Sequence, residues 1–172
     1  MLFVYLIYLI VPYQEVRNAH VTFEISHMGV LTVEGSFKEI NVQINRVSDN
    51  QWIATGEVDA SSIQTGNSSR DETILTEQYL NVEEYPTVPF KAIINRDKRV
   101  FQMDVEIEIR GIPVTLKSAL EQKNERFVSK TITISRKEIG LDFGAMDSLI
   151  GDEIALVIHP RISEKDLIEM DK

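Results

Sequence analysis

From Val16 onward, apolar and polar residues alternate along the chain with a period of two. In the clearest stretch, Phe101, Met103, Val105, Ile107 and Ile109 fall on one face, and Gln102, Asp104, Glu106, Glu108 and Arg110 on the other. Such a segment is a β-strand with one dry side and one wet side. It excludes a parallel sheet buried on both faces. The same reading gives strands near 16–27, 30–38, 40–46, 51–59, 88–96, 99–110, 112–121, 126–135 and 152–161. Turn signals at Ser48-Asp49-Asn50, Arg96-Asp97-Lys98, Arg110-Gly111 and Lys123-Asn124-Glu125 separate most of them, as in an antiparallel meander. The apolar parity changes between Phe37 and Ile40, which marks Lys38-Glu39 as a bulge or a break. Gly35 fits a strongly bent strand.

One stretch, Ser69 to Tyr79, has helical character. Ser69 and Glu72 have capping-box spacing, with Asn67 as an alternative cap. Ile74, Leu75 and Tyr79 would form its apolar stripe. A helical turn is expected at Arg136–Ile139, closed by Gly140. The charged tail from Ser163 is expected to fray. About eight antiparallel strands, each with one apolar face, can close into a barrel or pack as a sandwich, and the pattern alone does not choose. A barrel of about eight strands either fills with side chains or holds one small ligand.

The 172 residues fit one domain, and an apolar share of 43% is enough for a core. Residues 1–13 contain the run MLFVYLIYLIV, too short to span a bilayer as a helix. It suits the apolar region of a signal peptide, with processing expected between Pro12 and Glu15 and export to the periplasm or beyond. Its other readings are an apolar first strand or an uncleaved anchor. Residues 14–172 then form the barrel domain with its charged tail. The formal charge of −9 argues against nucleic acid and against docking by charge on an anionic membrane. With no cysteine, thiol catalysis, zinc ribbons and disulfides are excluded.

Several short motifs occur in a fixed order. Val21, Phe23, Ile25, His27, Gly35 and Phe37 form an alternating strand followed by G-x-F. Asp59, Ala60, Ser62, Ile63, Thr65, Gly66, Asn67, Arg70 and Asp71 form a turn and helix start. Leu75, Tyr79, Val82, Tyr85, Pro86 and Phe90 follow, then Gly111-Ile112-Pro113-Val114, then Arg136, Ile139, Gly140, Gly151, Asp152 and Ile154. This order, over roughly residues 18–160, resembles the YceI-like family. The resemblance implies an eight-stranded antiparallel, lipocalin-like barrel with a short helix near one end. It further implies a polyisoprenoid chain, such as a quinone tail, carried in the lumen, and export in many members. It leaves room for transient contact with a membrane or membrane protein, and for a dimer. At the hairpin Gly111–Val114 the chain is shorter than the family pattern, which would alter the width of the mouth.

The expected lumen residues are Phe23, Ile25, Phe37, Trp52, Phe90, Val105 and Ile107. An ordinary packed core would use the same residues, because alternation defines a face and not a cavity. His27, Arg70 and Asp71 are candidates for a polar mouth or for structural bonding. For Arg70 the structural role is favoured, through a carboxylate such as Asp59 that would pin the helix to the barrel. Three histidines without metal-site spacing, and no nucleophile elbow, point to neither metal, cofactor nor catalysis. The expected function is a carrier of an isoprenoid or similar apolar lipid. The alternatives are a ligand-free packed barrel with a stress-related or partner-binding role, and an enzyme acting on a lipid in the lumen.

Overall fold

The computed structural model describes residues 14–16 and 19–169. The expected signal segment, residues 1–13, lies outside them. Twelve strands occur among the described residues: β1 Gln14–Val16, β2 His20–His27, β3 Leu31–Phe37, β4 Ile40–Ser48, β5 Gln51–Asp59, β6 Ile63–Gln64, β7 Thr87–Asp97, β8 Val100–Ile109, β9 Ile112–Lys123, β10 Arg126–Ser129, β11 Ile132–Ser135 and β12 Ile150–His159. Helix α1 spans Ser68–Leu75 and α2 spans Glu164–Glu169. All pairings are antiparallel, in two sheets ordered β1-β4-β5-β7-β8-β9-β10 and β11-β12-β2-β3-β6.

Two broken strands join the sheets into one barrel. β3 pairs with β2, its continuation β4 pairs with β5, and Lys38-Glu39 is the break between them. Both backbone N–H groups at the break donate to Ser62 Oγ, at 3.1 Å each, so bending the strand leaves neither donor unsatisfied. On the opposite side β10 pairs with β9 and β11 with β12, with a break at Lys130-Thr131. Ser129 Oγ accepts a bond from Ile158 N at 2.9 Å across this corner. Counting each broken strand once gives the eight staves of an antiparallel barrel, and β1 and β6 are short additions. The stretch expected as one strand over 16–27 is instead two elements: β2 in one sheet, and β1 paired with β4 in the other.

Register places the inward residues in layers along the barrel. Ile40, Val58, Val88 and Ile109 form the layer at one end. Val42, Gly56, Phe90, Ile107 and Val114 form the next. Ile44, Ala54, Ala92, Val105 and Leu116 follow, then Trp52, Ile94 and Met103. A Cβ on Gly56 would lie 2.0 Å from the Asn41 carbonyl oxygen, so β4 and β5 could not approach this closely with any side chain there.

The Trp52 end is closed. Trp52 is fully buried, its ring 6.0 Å from that of Phe101, which in turn lies 4.7 Å from Phe127. The chain beyond β12 folds across this end, where Phe127 N donates to Ile162 O at 2.8 Å and Arg126 Nη1 to Arg161 O at 2.7 Å. Through Glu169 the tail does not fray as expected. Ser163 and Asp166 form a reciprocal cap, with Asp166 Oδ2 accepting from Ser163 N at 2.7 Å and Ser163 Oγ accepting from Asp166 N at 3.2 Å. The helix so started buries Leu167 completely, and Leu167 O accepts the Trp52 indole N–H at 2.9 Å.

On the outer wall near this end, the rings of His20 and His159 stack at 4.4 Å. Burial, and secondarily the neighbouring His20, holds the His159 pKa below its ordinary 6.5. The folded state thus takes up the proton less readily than the unfolded chain. The resulting stability is complete above pH 6.5 and is lost as pH falls from there through the depressed value. The melting temperature is expected to drop between pH 7.5 and 5.5, and His159→Gln to flatten that slope. An equal slope in the variant would assign the effect to other groups.

Candidate functional site

Above the plug the barrel is hollow. A cavity of about 690 Å³ runs from Ile94 and Met103, in the Trp52 layer, to the opposite end. It falls within the ~300–1,000 Å³ range of small-molecule sites. The space arises from a size gradient along the inner face. The closed end carries Trp52, Phe101 and Phe127, whereas the middle layers set Ala54 opposite Ala92 and Gly56 opposite Phe90. Gly35 enlarges it further. It stands opposite Phe23, and a Cβ there would be 2.3 Å from the ring's Cζ. The ring therefore lies against the backbone of the wall and not across the lumen.

Of the lumen residues expected from sequence, Phe23, Ile25, Phe37, Phe90, Val105 and Ile107 line this cavity. Trp52 does not. It shares a layer with Ile94 and Met103, which do line the cavity, but its indole is turned into the plug, where it donates to Leu167 O. Alternation fixes which way a side chain points and carries no information about what it packs against.

The open end is built by three segments. The β2–β3 hairpin brings His27 to the cavity edge. Helix α1 lies across part of the opening, contributing Asn67, Ser69, Arg70, Thr73 and Ile74 to the lining. The connection between β11 and β12 contributes Leu141, Phe143 and Met146. Tyr79, beyond α1, and Phe143 have ring centroids 5.1 Å apart, so the helical side and the loop side meet over the opening.

Asn67, the alternative cap, is the residue that starts α1, its Oδ1 accepting from Arg70 N at 3.0 Å. The helix stops at Leu75, short of the expected Tyr79. Arg70 pins it to the barrel, but not through Asp59, which instead caps the turn at Ser61. Arg70 Nε and Nη2 donate to Thr65 Oγ1 and Thr65 O, both at 2.8 Å. Asp71 Oδ1 accepts from Thr65 N at 2.9 Å and Thr65 Oγ1 at 2.5 Å. Two adjacent helical side chains thus clamp one buried threonine.

The loop side is held by Arg136, only 1% exposed. Its Nε donates to Gly151 O at 2.9 Å. Nη1 donates to Leu141 O at 2.8 Å and Asp147 Oδ1 at 2.6 Å, and Nη2 to Asp147 O at 3.1 Å and Ile150 O at 3.2 Å. The Phe143 ring lies 5.0 Å from the guanidinium carbon. The hydrogen bond from Arg136 holds the Asp147 carboxyl below its ordinary pKa. The fork geometry of arginine is what allows one side chain to satisfy so many carbonyls. Sequence reasoning placed Arg136 in a motif without seeing this role.

Among the described residues no group of three or more His, Asp or Glu side chains converges to hold a metal ion. The lining is almost wholly hydrocarbon apart from the polar atoms at the opening. Such a chamber can desolvate an apolar molecule and offers little else.

The sequence matches the YceI-like domain over residues 14–161. The chain belongs to the YceI-like family. It is 24% identical over 115 residues to Protein YceI of Escherichia coli O157:H7, covering 62% of this chain and 59% of that one. It is 23% identical over 138 residues to UPF0312 protein SAB2563 of Staphylococcus aureus, covering 73% and 79%. The chain therefore spans less than two thirds of the enterobacterial relatives it matches. Among solved structures, Burkholderia cenocepacia BcnA superposes with a TM-score of 0.67 at 19% identity, over 82% of this chain and 94% of that one. A polyisoprenoid binding domain from Saccharophagus degradans superposes with a TM-score of 0.63 at 13% identity, over 86% and 95%. At these identities the two structures establish the shared YceI-like barrel.

Proposed function

We propose that this YceI-like protein is a carrier that holds one isoprenoid or similarly long apolar chain, such as a quinone tail, in the barrel lumen. It acts by sequestration and not by chemical conversion, in an exported, periplasmic or secreted setting. The observation that carries this reading is the 690 Å³ hydrocarbon-lined cavity, closed at the Trp52 end and open beneath α1. Each methylene moved from water into such a space contributes about 0.8 kcal/mol, so affinity grows with chain length. Phe23, Ile25, Phe37, Phe90, Val105 and Ile107 supply the contact surface. A polar group at the end of the chain would remain at the opening, near His27 and Arg70, where hydrogen-bonding groups and water are available.

The packed-barrel alternative required a lumen filled by its own side chains, and the cavity disfavours it. The deciding experiment is detergent-free purification from a bacterial host, extraction with organic solvent, and mass spectrometry. A polyprenyl species near one per protein is the expected result. A clean extract, repeated after incubation with quinones and polyprenols, would overturn the carrier reading.

A further inference from the structure

The outer edge of the open end carries a cluster of exposed apolar side chains. In the β2–β3 hairpin, Met28 is 57% exposed, Val30 86% and Leu31 56%; in the loop before β12, Met146 is 49% and Leu149 40%. The two segments touch, with Met28 N donating to Leu149 O at 2.6 Å. Met28 and Gly29 have φ of 56° and 70°, a conformation for which hairpin tips favour asparagine or aspartate followed by glycine. Here a methionine takes the strained position, and a β-branched valine follows it almost fully in water. A tip selected only for solubility would be polar.

We propose that this rim inserts into the surface of a phospholipid bilayer, so that the cavity opens toward lipid. The inference rests on the carrier reading for its purpose and on the rim for its geometry. Met146 both lines the cavity and faces outward, so apolar surface continues from the outside of the rim into the lumen. A chain leaving a membrane by this route would stay in contact with hydrocarbon. Charge selects the kind of surface. The segment from His27 to Val33 carries no lysine, arginine or carboxylate, and the chain as a whole is −9. It therefore has no basic footing for an anionic leaflet, and the matching surface is zwitterionic or neutral, entered by apolar burial. The opposite side of the opening, where α1 presents Asn67, Ser69, Arg70 and Thr73, is polar, so contact is one-sided and the molecule docks tilted.

The test uses the full chain and vesicles of phosphatidylcholine without added ligand. Val30→Trp places an indole on the tip, and Trp52, the natural one, is fully buried. With vesicles, the added emission is expected to shift to shorter wavelength and to be quenched by phosphatidylcholine brominated on its acyl chains. Val30→Asp is expected to weaken flotation with the vesicles about tenfold relative to wild type. The apolar N-terminal run is common to all variants, so it cannot produce these differences. An indole that remains water-like and unquenched, or equal flotation of Val30→Asp, overturns the inference. So does a wild-type dimer that Val30→Asp dissolves, which would assign the rim to a second copy of the chain. Because the vesicles carry no cargo, Val30-dependent binding alongside a clean lipid extract would sink the carrier reading and leave the docking surface standing.

Discussion

Trp52→Ala is expected to destabilise the protein by about 3–5 kcal/mol, the range for removing a buried tryptophan. That is a large share of the ~5–15 kcal/mol that separates native from unfolded domains. Trp52 is fully buried, packs toward Phe101, lies beneath the Arg96 guanidinium at 6.0 Å, and donates its indole N–H to Leu167 O at 2.9 Å. Its removal leaves a void at the closed end and withdraws the bond that seats α2. Two measurements check this. Equilibrium urea unfolding should show the loss, and limited proteolysis should cut the tail beyond Ile162 faster than in wild type. Trp52→Phe, which keeps a ring but loses the indole donor, is expected to be milder. A Trp52→Ala loss under 1 kcal/mol with an intact tail would show that the plug does not depend on this residue.

Ala92→Trp is expected to abolish binding of a long apolar chain while the fold survives. Ala92 stands in the middle layer between Ala54 and Val105, where small side chains leave the lumen open. An indole there crosses the cavity and competes for the same volume. Overpacking a filled core costs about 1–3 kcal/mol, but here the added atoms enter free space, so the cost should fall at the low end. Occupancy read by mass spectrometry of extracts should fall at least tenfold, with the melting temperature little changed. Unchanged occupancy would place the ligand elsewhere.

Much of the barrel was legible from sequence because each strand has one wet face. Phe101–Ile109 could be drawn residue by residue, and the parity change at Lys38-Glu39 marked the corner where the chain passes between sheets. Four things were not legible. Alternation is blind to what an inward side chain packs against, so Trp52 looked like a lumen residue and is a plug. The tail Ser163–Lys172 is rich in charge, which hid a helix buried through Leu167. Its signal was present in the spacing of Ser163 and Asp166, which cap the helix reciprocally. The partner of Arg70 is a threonine hydroxyl and carbonyl, and no charge-matching rule selects those over Asp59. The hollow itself depends on the pairing of Ala54 with Ala92, far apart along the chain, and on the register of the β2–β3 hairpin that sets Phe23 opposite Gly35.

The seal formed by Trp52, Phe127 and α2 makes the barrel a cul-de-sac, and this governs how its contents can be exchanged. A molecule inside has one doorway, and a newcomer has no rear access from which to push it out. Departure must precede arrival. For the cargo proposed above, turnover would then follow the escape rate of the resident and not the abundance of its replacement, as in a container that is emptied and refilled and not in a conduit.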